Sequence, residues 1–106
     1  MGSIGEFEQL VLLSLFRVGK DAYGVPIWRE IVERTGRSVS LGAVYKTLER
    51  LEDKGFVGSR EGMPTPERGG RRKKHYRLAA AGQRALKHSI SGLRSMTEGL
   101  DADFKL

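Results

Sequence analysis

The sequence predicts a mainly α-helical fold carrying one small β-hairpin. Three observations lead there: three stretches of helically spaced apolar residues before residue 55, short alternating segments flanking a Pro- and Gly-rich loop, and a return to helical spacing afterwards. At 106 residues the chain is long enough for one hydrophobic core and too short for two.

The first helix is expected from Glu6 to Val18, because Phe7, Leu10, Val11, Leu15 and Val18 share one helical face and Gly19 follows them. A link containing Asp21 leads to a second helix in which Pro26 is tolerable only in the first turn. There Ile27, Trp28, Ile31 and Val32 form the stripe, and Gly36 stops it. Tyr23 and Trp28 could also belong to an effector pocket, but aromatics at this spacing read first as core. Ser40 is positioned as the N-cap of a third helix whose inward residues are Val44, Leu48 and Leu51, with Gly55 as its C-terminal stop.

After Gly55, FVGSRE and RRKKHYRL flank the loop GMPTPERGG, the pattern of a hairpin with an extended, mobile tip. Tyr76 and Leu78 should share one strand face, His75 and Arg77 the other. From Ala79 to Phe104 the pattern is helical again, despite Gly82, Gly92 and Gly99, each costing about 1 kcal/mol relative to Ala. Leu86, Ile90, Leu93, Thr97, Leu100 and Phe104 alternate steps of four and three, the spacing of a coiled-coil seam. A second copy of the helix is the expected partner; packing back onto the same domain is the alternative.

Charge separates the function classes. The chain has 19 Lys and Arg against 13 Asp and Glu, and six of the bases (Arg68, Arg71, Arg72, Lys73, Lys74 and Arg77) lie within RGGRRKKHYRL. The rest of the chain is balanced, so the whole formal +6 sits on the hairpin and points to a polyanion. With no cysteine, no Ser-His-Asp arrangement and no metal-ligand spacing around His75 or His88, the sequence offers no catalytic or metal site and calls for no cofactor. Pairs such as Glu6/Glu8 and Glu30/Glu33 read as solvated helix faces. The absence of Cys, of a basic leader and of a long apolar run makes a cytoplasmic protein without membrane contact the expectation.

Three helices followed by a two-stranded hairpin is the order of a winged helix-turn-helix, in which the third helix enters the major groove and the hairpin is the wing. On the outward face of that helix stand Gly42, Ala43, Lys46 and Arg50, with Tyr45 at the flank. Ser40 and the free N-terminal amides suit a phosphate, small residues allow close approach, and Lys46 and Arg50 could reach base edges or backbone. The plainer alternative pairs Lys46 and Arg50 with Glu49 and Asp53 on a solvated surface. The wing residues Arg68, Gly69, Gly70, Arg71, Arg72, Lys73 and Lys74 would track backbone or an adjacent minor groove. An RNA-binding or ribosome-associated basic protein is the competing reading, although RNA's narrow major groove does not admit such a helix.

The segments GEFEQLVLLSLF, DAYGVPIWREI, SVSLGAVYKTLERLEDKGFV and PERGGRRKKHYRLAAAG resemble the PadR family of bacterial transcriptional regulators. Tyr23-Gly24, the run Gly42-x-x-Tyr45-x-x-Leu48-x-x-Leu51, and the Gly-Gly-Arg-Arg-Lys-Lys-x-Tyr-x-Leu wing carry the likeness. It implies a winged-helix domain over residues 1–79 and a dimerisation helix over 80–106. It further implies a homodimer that binds a roughly palindromic double-stranded operator and usually represses, with release by a small molecule or another cue. Two departures stand out. Pro26 replaces a common Glu, and Ala79, Ala80 and Ala81 replace the Thr and Pro that often open the last helix, so a cap of about 1 kcal/mol is missing.

Overall fold

A computed structural model describes residues 4–64, 72–100 and 104, and it is mainly helical with a single antiparallel hairpin. Helix α1 spans Glu6–Val18, α2 Gly24–Thr35 and α3 Leu41–Asp53; strands β1 (Val57–Pro64) and β2 (Arg72–Leu78) follow, and α4 covers Ala80–Thr97. The sharp ends of α1 and α2 come from Gly19 and Gly36, whose φ values of 75° and 70° suit glycine alone. Pro26 sits in the first turn of α2, where its missing N–H would have had no helical partner. Ser40 Oγ accepts the Ala43 N–H at 3.1 Å and caps α3 as expected.

The three helices close over Val11, Leu12, Ile27, Ile31, Val44, Leu48 and Leu51, none more than 2% exposed. Trp28 is half-buried and its indole Nε1 donates to the Val39 carbonyl at 2.7 Å, which fixes the link between α2 and α3. The hairpin pairs Val57 with Leu78, Ser59 with Tyr76 and Glu61 with Lys74, with an irregularity before Pro64. Its inward face therefore carries Val57, Ser59, Tyr76 and Leu78, and Tyr76 is buried. The Tyr76 N–H donates to the Ala22 carbonyl at 2.7 Å, anchoring β2 beside the start of α2. The expected mobile tip, with Arg68, Gly69, Gly70 and Arg71, lies outside the described residues.

Three expectations need correction. The helix predicted to reach Phe104 ends at Thr97, and Gly99, at φ 82°, turns the chain, so Leu100 and Phe104 lie beyond it. Leu86 is 2% exposed within the domain core, and Ile90 packs against that core. The first two seam positions therefore face their own domain, and Gln9 Nε2 donates to Ser89 Oγ at 2.6 Å along the α1–α4 contact. Glu8 is not solvated: it is 6% exposed and accepts the Gly5 N–H at 2.9 Å and the Lys54 ammonium at 2.9 and 3.1 Å. Burial pushes its carboxyl up, but the hydrogen bonds from Lys54 and Gly5, with the positive charges of Lys54 and Arg50, outweigh burial and leave it below 4.5.

The glycines of α4 divide by environment. A Cβ on Gly82 would lie 2.1 Å from the Phe56 carbonyl oxygen, whereas one on Gly92 would meet nothing within 4 Å. Gly82→Ala should therefore destabilise the protein by about 1–3 kcal/mol through overpacking. Gly92→Ala should stabilise it by about 0.5–1 kcal/mol through helix propensity. Denaturant unfolding of the two variants should give opposite signs. Because the Glu8 carboxyl is depressed in the folded state, its contribution is complete above the unfolded value near 4.5 and is lost as pH falls through the lower folded value. Glu8→Gln should lower stability at neutral pH by about 1–2 kcal/mol and flatten the acid limb of a stability-against-pH curve.

Candidate nucleic-acid interface

The outward side of α3 presents Gly42, Lys46 and Arg50 to solvent, with Ser40 exposed at its head and Ala43 half-buried. Its first turn contains no acid, so the positive end of the helix dipole is left available. Neither Lys46 nor Arg50 forms an ion pair with Glu49 or Asp53 among the described residues. The solvated-pair alternative for these two bases thus lacks its pairs, although the charge of Arg50 is felt by Glu8.

Tyr45 is 37% exposed, and its ring tip stands directly on Gly24 at the start of α2. A Cβ on Gly24 would come 2.2 Å from Tyr45 Cζ, so glycine is what lets the ring lie there. The Tyr-Gly pair at 23–24 and the tyrosine of α3, read separately in the sequence, are one contact in space. That contact fixes how α3 sits across α2.

The wing has two chemically distinct faces. Outward are Gly58, Arg60 and Gly62 of β1 with Lys73, His75 and Arg77 of β2. The glycines let long side chains cross the strand: the Arg77 guanidinium covers Gly58, and the His75 ring covers Gly62, each closer than a Cβ would permit. His75 is half-buried; its ring meets Tyr23 edge-on at 5.8 Å, and its Nδ1 is buried with no hydrogen-bond partner among the described residues. Lys73 Nζ lies 4.2 Å from the centre of the Tyr23 ring.

Inward, Lys74 Nζ donates to Glu52 Oε1 at 3.2 Å and lies 5.7 Å from the centre of the Tyr76 ring. Two of the predicted wing bases, Lys73 and Lys74, are therefore engaged with their own domain. Arg72 begins β2 opposite Pro64. No group of three His, Asp or Glu suited to a metal exists among the described residues, nor is any described helix long and apolar enough to cross a membrane.

The model of the transcriptional regulator PadR-like family matches residues 11–88. Among solved structures, a PadR family transcription regulator from hypervirulent Clostridium difficile R20291 is 26% identical, with a TM-score of 0.74 over 92% of this chain and 97% of that one. A protein from Streptococcus mutans UA159 is 25% identical, at TM-score 0.66 over 100% and 97% of the two chains. A PadR family transcriptional regulator from Eggerthella lenta DSM 2243, at 23% identity and TM-score 0.67 over 92% and 84%, shares the fold. No curated protein matches.

Proposed function

Because the chain belongs to the PadR-like family of transcriptional regulators, we propose that it is a sequence-specific double-stranded DNA-binding repressor, acting as a homodimer on a roughly palindromic operator. One observation carries this reading: α3 exposes a small, acid-free N-terminal face with Lys46 and Arg50 outward, beside a wing holding the chain's excess charge. A helix of that shape suits a DNA major groove, and the wing bases suit phosphates. Ser40, Gly42, Ala43, Lys46 and Arg50 face the groove in this assignment. Relief by a small molecule or another cue belongs to the same proposal.

The exposed apolar side chains support dimerisation. Leu93 and Met96 on α4 are 57% and 77% exposed, Leu100 and Phe104 beyond it are open to solvent, and Leu13 and Phe16 are exposed on α1. So many large apolar groups on a small domain suit a partner surface. The seam in this proposal begins at Leu93 rather than Leu86, and a two-fold pair presents two recognition helices to two half-sites.

Selection from random duplexes at stated salt, with structured RNA as competitor, tests the reading; preference for the RNA would overturn it. Lys46→Ala should cost about 1–3 kcal/mol on the selected duplex and relax preference at one base pair. A loss spread evenly over all sequences would reassign Lys46 to phosphate. Leu93→Asp with Met96→Asp should sediment as a folded monomer, since neither residue belongs to the core. It should lose operator affinity while keeping weak, salt-sensitive binding to any duplex.

A further inference from the structure

Glu52 stands where two electrostatic rules disfavour an acid. It lies in the last turn of α3, against the negative end of the helix dipole, and on the helix whose proposed partner is a polyanion. Its contacts supply the reason. One carboxylate oxygen accepts the Ser59 hydroxyl of β1 and the other accepts the Lys74 ammonium of β2. A single side chain of the recognition helix thus holds both strands of the wing.

The lever arm explains why such a hold matters. At its base the hairpin is fixed by burial of Val57 and Tyr76 and by the Tyr76–Ala22 hydrogen bond. Ser59 lies level with Tyr76 and Lys74 lies two residues beyond it, so Glu52 grips the wing from that anchor to roughly 7 Å further out at ~3.3 Å per residue. A two-stranded hairpin is marginal by itself, and its direction needs an outside support. Tyr23 steadies the opposite face through Lys73 and His75.

We propose that Glu52 is a positioning residue for DNA recognition: through Ser59 and Lys74 it sets the angle between wing and α3. Lys74 is then the tether of the wing rather than one of its phosphate contacts. This inference rests on the DNA-binding reading above. The hydrogen bond from Ser59 first, and that from Lys74 second, hold the Glu52 carboxyl below the usual carboxylate range. Lys74 is raised by its hydrogen bond to Glu52, so the pair is charged at neutral pH.

The two roles of an acid near DNA predict opposite results. Glu52→Gln adds one unit of positive charge, and a mere neighbouring charge would tighten every duplex equally. A tether instead lowers the ratio of selected-duplex to random-duplex affinity, by about 5-fold, in a protein that is still folded. Ser59→Ala, which leaves the net charge unchanged, should lower the ratio in the same direction, and Ser59→Thr, which keeps the hydroxyl, should restore it. A ratio that is unchanged or raised in Glu52→Gln overturns the proposal. Should the wild-type protein prefer no duplex, the DNA reading fails by itself, and amide hydrogen exchange along the wing decides the tether. Faster exchange at Val57–Glu61 in Glu52→Gln supports it, and unchanged protection overturns it.

Discussion

The backbone of Phe56 is the joint on which the architecture turns. Its N–H donates to the Leu51 carbonyl at 2.9 Å, closing the end of α3, and its carbonyl accepts the Ala79 N–H at 3.0 Å, at the start of α4. The Gly82 backbone presses on that same carbonyl, and the Phe56 side chain is buried. One residue therefore joins α3, both ends of the hairpin and the final helix. The uncapped start of α4 follows from this: Ala79 offers no side-chain cap, and the Phe56 carbonyl fixes the chain entry instead.

Charge is organised around this joint in two populations. Three glutamates each collect at least one partner from another element: Glu8 holds Lys54, Glu30 accepts from Arg17 of α1 as well as from Arg34 of its own helix, and Glu52 holds Ser59 and Lys74. The Glu30 cluster lies at the surface and adds little stability, whereas Glu8 is nearly buried and ties α1 to the end of α3. These acids are engaged by groups of their own domain, and the chain's net positive charge is concentrated on the wing. A balanced scaffold with a basic hairpin is thereby built from one sequence.

Local signals and tertiary ones differ in how well the sequence showed them. The helices of the domain were legible because apolar periodicity and glycine stops are local; α1 begins and ends where Phe7 to Val18 and Gly19 put it. Tyr76 was legible for the same reason, by strand alternation. Glu8 was not, since an acid in a first turn reads as solvated until Lys54, 46 residues away, is brought to it. Gly82 and Gly92 look alike in sequence, and only the Phe56 carbonyl distinguishes them. In the candidate interface, the charge of Lys73 and Lys74 was visible but their partners Tyr23 and Glu52 were not. A count of bases gives the field around the wing and says nothing of which bases the domain has already engaged. Along α4 a spacing of four and three fits a chain's own core as well as a partner, and Leu86 and Ile90 pack on the core.

The same joint connects the proposed dimer contact to DNA spacing. Leu93 lies thirteen residues into α4 from Ala80, which at 1.5 Å per residue places it about 20 Å along the helix. Between that point and α3 the connection runs through the first turns of α4, packed on α1, and then through the hydrogen-bonded Phe56 backbone. In a two-fold dimer joined near Leu93 and Met96, the distance between two α3 helices is therefore set by the crossing of the two α4 helices. Operator half-sites about one helical turn, roughly 34 Å, apart demand one such crossing. Under the dimer proposal, a cue that repacked the exposed apolar side chains of α4 would shift that distance without touching the α3 residues assigned to DNA.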